Sequence, residues 1–235
     1  MKESGVALIL VLVMTSLLST LALGLAVMVS TNQLAEGNFG DSVGMSYAAD
    51  AGVELAAHDL AQSADWDLVL AGVISGALTD GAATGVRNIP AGGSVSLAAE
   101  TNQVNCGKAS PCTVAEMEAN SQDRPWGADN PRWRLFEYGP VTALDSFERP
   151  GPWYLLVWVA DDGRETDGNP LADGTAADRR GRGILRVRSA VYGARGARRV
   201  VEAELARSCH HESGVEVCHP GIRVQSWQEL RQLVP

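Results

Sequence analysis

Between Ser4 and Ala35 no side chain carries a charge, and Val6 to about Val29 is dense in Leu, Val, Ala, Ile and Met. As a helix rising 1.5 Å per residue, that run reaches ~36 Å, enough to cross a hydrocarbon core of ~30 Å with some tilt. It is longer than the ~7 to 15 apolar residues of a secretory signal, and it passes into Thr31, Asn32 and Gln33 without a small-residue cleavage site. The apolar run is therefore expected to stay on the protein as a membrane span. Lys2 and the free amine put positive charge ahead of it, which favours a cytoplasmic N-terminus.

Beyond the run, Asn38 to Leu55 mixes small, apolar and polar residues at helix-compatible intervals. Val43, Tyr47, Ala51, Leu55 and Ala56 fall on one stripe, so the spacing predicts an amphipathic continuation with that stripe facing the core. Gly37 and Gly40 predict a loosened stretch between the two halves, because each Gly costs up to ~1 kcal/mol inside a helix.

The 235 residues suffice for this segment plus one medium domain, and a formal net charge of -9 argues against general nucleic-acid binding. Protein surfaces and cations are the expected partners. The Arg residues between Arg179 and Arg199, flanked by Asp178, Glu202 and Glu204, read as part of a mixed-charge sheet surface, with a specific anion site as the alternative. Four cysteines form two local pairs, Cys106 with Cys112 and Cys209 with Cys218, each in polar, loop-like surroundings. In an oxidising compartment they suit two small disulfide-closed loops. Zinc is the competing reading, since His210, His211 and His219 flank the second pair, although no CxxC spacing is present.

Residues 64 to 150 are rich in Gly and Ala, hold isolated Trp66, Trp126 and Trp133, and are punctuated by proline; loops and short elements are expected there. Trp133 to Gly139 reads as a strand. From Trp153, two alternating sets are both apolar: Trp153, Leu155, Val157 and Val159 against Tyr154, Leu156, Trp158 and Ala160. That predicts a strand buried on both faces. Ile184 to Tyr192 reads as a strand with one wet face. Arg198 to Leu205 reads as its neighbour across a Gly193 to Gly196 turn. The fold class is α+β, a long N-terminal helix packed on an antiparallel β-meander.

The connection from Asp161 to Arg182 carries Asp161, Asp162, Glu165, Asp167, Asn169, Asp173 and Asp178 among glycines. Oxygen ligands crowded on a flexible loop are what Ca²⁺ takes, about 6 to 8 of them at 2.3 to 2.6 Å. Asp161, Asp162, Asp167, Asn169 and Asp173 are the candidate ligands. The EF-hand spacing is absent, and the alternative is a solvated acidic loop partly neutralised by Arg164, Arg179, Arg180 and Arg182. No other cofactor is indicated.

A catalytic constellation is not evident. His58 stands alone on the helix, where packing or surface exposure explains it, and Ser208-Cys209-His210 adjacency does not place an imidazole to activate a thiol. Glycine-rich phosphate loops with Lys and Ser/Thr are absent.

The N-terminal pattern resembles the type IV pilin-like proteins, and among them minor pilins of the PilX type. The resemblance rests on a short leader ending in Gly5, the uncharged apolar run, and an "AxxAxAG"-like stretch, here Tyr47-Ala48-Ala49-Asp50-Ala51-Gly52-Val53-Glu54. Strand-like segments from Trp153 to Asp162, Gly183 to Ala190 and Gly193 to Ala203 fit the same family. The match covers roughly residues 1 to 60 and 150 to 207.

This resemblance implies cleavage by a prepilin peptidase between Gly5 and Val6, methylation of the new amine, and retention of the helix. It also implies that the small residues Ala7, Ser16, Ser19, Gly24 and Ala26 allow close helix approach. The implied partners are other minor and major pilins, the prepilin peptidase, the inner-membrane assembly platform and the membrane, and the implied place is the bacterial inner membrane and then the pilus.

The family's major subunits carry a Glu at the fifth mature position, which here is Leu10. A lone buried carboxylate is costly without a partner amine, so Leu10 removes both cost and pairing. That departure points to a tip or initiating subunit. The expected organisation is a leader at 1-5, a span at 6-29, an amphipathic helix at 30-62 and an extracytoplasmic domain at 63-235. Two alternatives stand beside the minor pilin: the tip pseudopilin of a type II secretion system, and an enzyme or sensor with an uncleaved signal anchor.

Overall fold

A computed structural model describes residues 4–119, 130–144, 151–165, 168–174, 183–212 and 215–230, with the backbone alone at 4–5 and 208–220. The chain divides into two units, Met1–Val43 and Gly44–Pro235. A single helix, α1, runs from Ser4 to Gln62.

In the first unit α1 is apolar and exposed from Val6 to Val29, with Val6, Leu10, Leu18 and Leu23 all more than half accessible. The hydroxyls of Thr15, Ser16, Ser19, Thr20 and Thr31 each donate to a carbonyl three or four residues back. Such back-bonding gives each of these five hydroxyl protons an acceptor in an apolar surrounding. The helix does not loosen at Gly37 or Gly40, where the expectation from glycine cost fails. A glycine weakens a helix without removing its N–H or carbonyl, and one such cost is small against the intact ladder on both sides.

The second unit holds a five-stranded antiparallel meander whose strands neighbour one another in chain order, with the Gly44 to Gln62 part of α1 on one face. The strands are β3 (Arg134–Pro140), β4 (Tyr154–Asp161), β5 (Ile184–Tyr192), β6 (Arg198–Glu212) and β7 (Val215–Glu229). Between α1 and β3 come α2 (Trp66–Leu70), the short hairpin β1 (Val86–Asn88) and β2 (Ser94–Ser96), α3 (Leu97–Cys106) and α4 (Val114–Ala119).

β4 is buried at every position, as its doubly apolar pattern predicts. Leu155, Val157 and Val159 join α1 in one core, and Tyr154, Leu156, Trp158 and Ala160 lie in a second core on the opposite face. The second core is roofed by the stretch that holds β1, β2 and α3, and buried polar tips fix that roof. Tyr154 Oη donates to Asp80 at 2.9 Å, Tyr138 Oη to the Gly81 carbonyl at 2.6 Å, and Trp158 Nε1 to Thr101 Oγ1 at 2.9 Å. The Asn105 amide exchanges two hydrogen bonds with the Trp133 backbone, both at 2.9 Å. The wet face expected on β5 is therefore only half wet: Ala190 and Tyr192 lie under this roof, while Arg186 and Arg188 keep partial exposure.

The core-facing stripe of α1 keeps Ala56 of the expected one and half-buries Ala51 and Leu55, but leaves Val43 and Tyr47 exposed. Tyr47 is 65% exposed, and the buried positions are Met45, Ala48, Ala49, Gly52, Val53, Ala56 and Leu60. Small size decides the choice. A β-carbon at Gly52 would overlap Ser189 Oγ and come to 2.9 Å from Leu155, and one at Gly44 would overlap the Trp153 ring. Gly44, Ala48, Gly52 and Ala56 recur every four residues, so the flattest line of the helix meets the sheet. Burial of Leu60, Trp66, Val69 and Leu70 closes the far end of the same core.

The two sheet edges differ. Along β3, Gly76 N donates to the Phe136 carbonyl, Tyr138 N to Leu78 and Asp80 N to Tyr138, so the 76–80 segment occupies that edge. β7 pairs with β6 alone.

Candidate functional site

The N-terminal processing candidates, Gly5 and Val6, lie in the first turns of α1. Ala7, Leu10, Ser16 and Gly24 all sit on the exposed apolar surface, and nothing approaches the position where Gly24 would carry a β-carbon. Among the described residues, α1 is one helix long and apolar enough to cross a membrane. From Val6 to Val29 it exposes Leu, Val, Ile and Met on all sides, which in water would be a large unsupported apolar area. A lipid environment or neighbouring helices remove that cost.

The oxygen-rich connection after β4 is drawn together by the end of the sheet. Ligand atoms of Asp161, Glu165 and Asp173 all lie within 4.8 Å of one another, and all three residues are buried. Of the expected ligands, Asp162 is buried nearby but outside this trio; Asn169 is exposed and accepts from Leu171 N at 3.3 Å; Asp167 lies outside the described residues. Glu165, the third member, is a loop acid outside the five candidate ligands.

Asp161 and Asp173 each have a structural role. Asp161 Oδ1 accepts from Asp162 N at 2.9 Å. Asp173 Oδ1 accepts from Gly183 N at 2.6 Å, and its Oδ2 from Arg207 at 3.0 Å. Asp173 N in turn donates to Asp67 Oδ1 at 2.7 Å, tying the connection to α2. The Arg207 guanidinium lies 4.1 Å from the Trp66 ring centroid. Burial pushes the Asp173 carboxyl up to about 6, against the lowering effect of Gly183 N and Arg207. The cluster has the oxygen chemistry a divalent cation takes, but its best-placed carboxylate is already spent on Arg207.

Cys106 and Cys112 form a disulfide with Cα atoms 6.0 Å apart. It joins the end of α3 to the stretch before α4, which closes the small loop expected from the spacing. Cys209 and Cys218 are not in a loop. They are Cα partners on β6 and β7, whose hairpin carries both strands well beyond the rest of the sheet. The mixed composition of 206 to 229 hid this strand pair, since its apolar residues do not alternate cleanly. The side chains of Cys209, His210, His211, Cys218 and His219 lie outside the described residues. His58 is exposed and bonds to Gln62 at 2.7 Å, as a surface histidine would.

Sequence spacing missed a buried acid. Glu137 on β3 is fully enclosed, and burial, reinforced by nearby Asp59, pushes its carboxyl up to about 9. Its neighbours in sequence, Phe136 and Tyr138, are apolar, and only the three-dimensional position of Gly76 reveals the space it fills.

No protein-family model, curated protein or solved structure matches this chain.

Proposed function

We propose that this chain is a pilin-like structural subunit, a minor pilin held in the bacterial inner membrane that helps initiate or cap a type IV pilus. The observation that carries the reading is one unbroken helix with two uses. Its first half is apolar and exposed on every side, and its second half is cemented into an antiparallel meander through Gly44, Ala48, Gly52 and Ala56.

Such a helix exchanges lipid contacts for helix contacts at small cost, because the two surroundings are equally apolar. Ala7, Ser16 and Gly24 keep the approach close. Leu10 lets the span sit in lipid or among other helices without an unpaired charge. A subunit without a carboxylate at that point does not need a neighbour's amine, which suits the end of a filament. The reservoir side is the membrane, with the N-terminus cytoplasmic, and the partners are other pilins, the prepilin peptidase and the assembly platform.

The mature N-terminus tests this reading. Intact-mass analysis of membrane-extracted protein is expected to show loss of residues 1 to 5 and one added methyl group on Val6. A retained Met1 would overturn it in favour of a signal-anchored enzyme or sensor. The tip pseudopilin of a type II secretion system shares the helix and the missing Glu. Deleting the gene separates the two: loss of surface fibres supports the pilus, whereas loss of secreted enzymes with fibres intact supports the secretion system.

A further inference from the structure

On the roofed face of the sheet, a cleft of about 630 Å³ opens between the β1–β2 turn and the turn joining β5 to β6. We propose that it binds a small polyhydroxylated carboxylate, a ligand of the acidic-sugar type. Nothing in this proposal depends on the pilin reading.

The volume falls in the range of small-molecule sites, ~300 to 1,000 Å³. Its floor is fixed before any ligand arrives. Tyr192 Oη donates to Glu100 Oε2 at 2.7 Å, Arg198 pairs with the same oxygen at 3.4 Å, and the Arg198 guanidinium stacks 5.0 Å from the Tyr192 ring centroid. Both Glu100 and Arg198 keep part of their side-chain surface accessible, 25% and 15%. Glu100 Oε1 is thus left to accept from a ligand hydroxyl.

Arg195 stands at the rim. It is exposed and makes no hydrogen bond or ion pair among the described residues. Its φ of 55° is the one positive value at a non-glycine residue there. A left-handed conformation costs a bulky residue of order 1 kcal/mol, and glycine at the same place would avoid the strain. Gly196 beside it already has φ 77°, so the turn has a glycine and still places an arginine at the strained position.

The charges on the lining are Arg195 and Arg198 against Glu100, an excess of one positive charge on a chain whose net charge is -9. Such a local excess favours an anion at the cleft. Ile89, Ala91 and Val95 supply an apolar wall. An anionic group for Arg195, hydroxyl donors for Glu100 and a C–H face for that wall are together the chemistry of an acidic sugar.

The test is titration of the full chain in detergent micelles with galacturonate and with galactose, followed by saturation-transfer NMR. Galacturonate is expected to bind at millimolar concentration and galactose at least about tenfold more weakly. Arg195→Gly, which relieves the strained turn, is expected to lose about tenfold in galacturonate affinity, and Arg195→Lys to restore most of it. Polygalacturonate as a competitor distinguishes a polymer end from a free sugar: displacement assigns the site to chain ends, and its failure assigns it to the monosaccharide. Equal binding of the two sugars, no binding of galacturonate at about 20 mM by a chain that melts cooperatively, or full affinity in Arg195→Gly would each overturn the proposal.

Discussion

The carboxyl of Glu137 rests against the α-carbon of Gly76, so that a β-carbon at residue 76 would overlap it. The contact is locked from both sides. Gly76 N donates to the Phe136 carbonyl at 3.0 Å, and Ala77 N donates to Asp59 Oδ2 on α1 at 2.5 Å. The 76–80 segment is thereby laced between the helix and the β3 edge, with the acid enclosed beneath it. Neither oxygen of Glu137 meets a donor among the described residues. An enclosed carboxyl without a donor is stable only when it keeps its proton.

That enclosure makes stability pH-dependent with a definite sign. In the unfolded chain Glu137 ionises near its ordinary 4.5, and in the folded chain near about 9. Below 4.5 both states hold the proton and the group has no effect. Between these values only the folded state holds it, so stability falls as pH rises, and above about 9 the slope vanishes. The melting temperature of the Trp signal is expected to drop by several degrees from pH 5 to pH 8.5, and Glu137→Gln to flatten that profile and melt higher at pH 8.5. A flat wild-type profile would contradict the assignment.

Glycines along α1 are predicted to behave oppositely on substitution. Gly52→Val drives a branched side chain into Ser189 and Leu155, and is expected to cost about 1–3 kcal/mol or more by overpacking. Gly37→Ala meets nothing within 4 Å and gains helix propensity, about 0.5–1 kcal/mol in favour of the helix. Circular dichroism in micelles reads the second and chemical denaturation the first. Tolerance of valine at position 52 would mean that the helix does not approach the sheet as closely as described.

Much of this was legible in the sequence because the signals were local. The long apolar helix, the doubly buried β4, the limits of β5 and the turn into β6 follow from charge absence, alternation and glycine. The face of α1 was not legible. Four-residue spacing puts Tyr47 and Leu55 on the expected stripe, yet the line that meets Ser189, Leu155 and Val157 is the small-residue one through Gly52. β7 was missed because its positions from 221 to 229 have little buried surface, which erases the two-residue period. Glu165 joined Asp161 and Asp173 only through the folding of their connection.

Arg207 and Asp173 hold that connection to the sheet. Their side chains are 11% and 2% exposed, and the ion pair at 3.0 Å is the acid's main compensation beyond Gly183 N. Arg207→Leu leaves Asp173 enclosed and strips the cation from the Trp66 ring, so a loss of about 3–5 kcal/mol is expected in urea unfolding. Calcium distinguishes the two uses of the cluster. A rise in melting temperature at millimolar Ca²⁺ that vanishes in Asp161→Asn would assign the three carboxylates to an ion, and no shift would leave the Arg207 pair as their purpose.

Cys209 and Cys218 face each other as Cα partners near the tip of the β6–β7 hairpin, just past a register shift between Arg207 and Cys209. Directly opposed residues on antiparallel strands stand about 4.5 to 5.5 Å apart, within the Cα range a disulfide spans. Outside the reducing cytoplasm the pair is expected to be oxidised, stapling a hairpin whose strands extend past their pairing with β5. Non-reducing peptide mapping should recover one fragment joining the two strands, alongside the Cys106–Cys112 fragment. In the double variant Cys209→Ser/Cys218→Ser the hairpin should be cut by protease at lower concentration while β3 to β5 stay protected. Free thiols at both positions in protein purified without reductant would instead return the cluster with His210, His211 and His219 to the zinc reading, and a chelator-sensitive melt would then be the expected companion result.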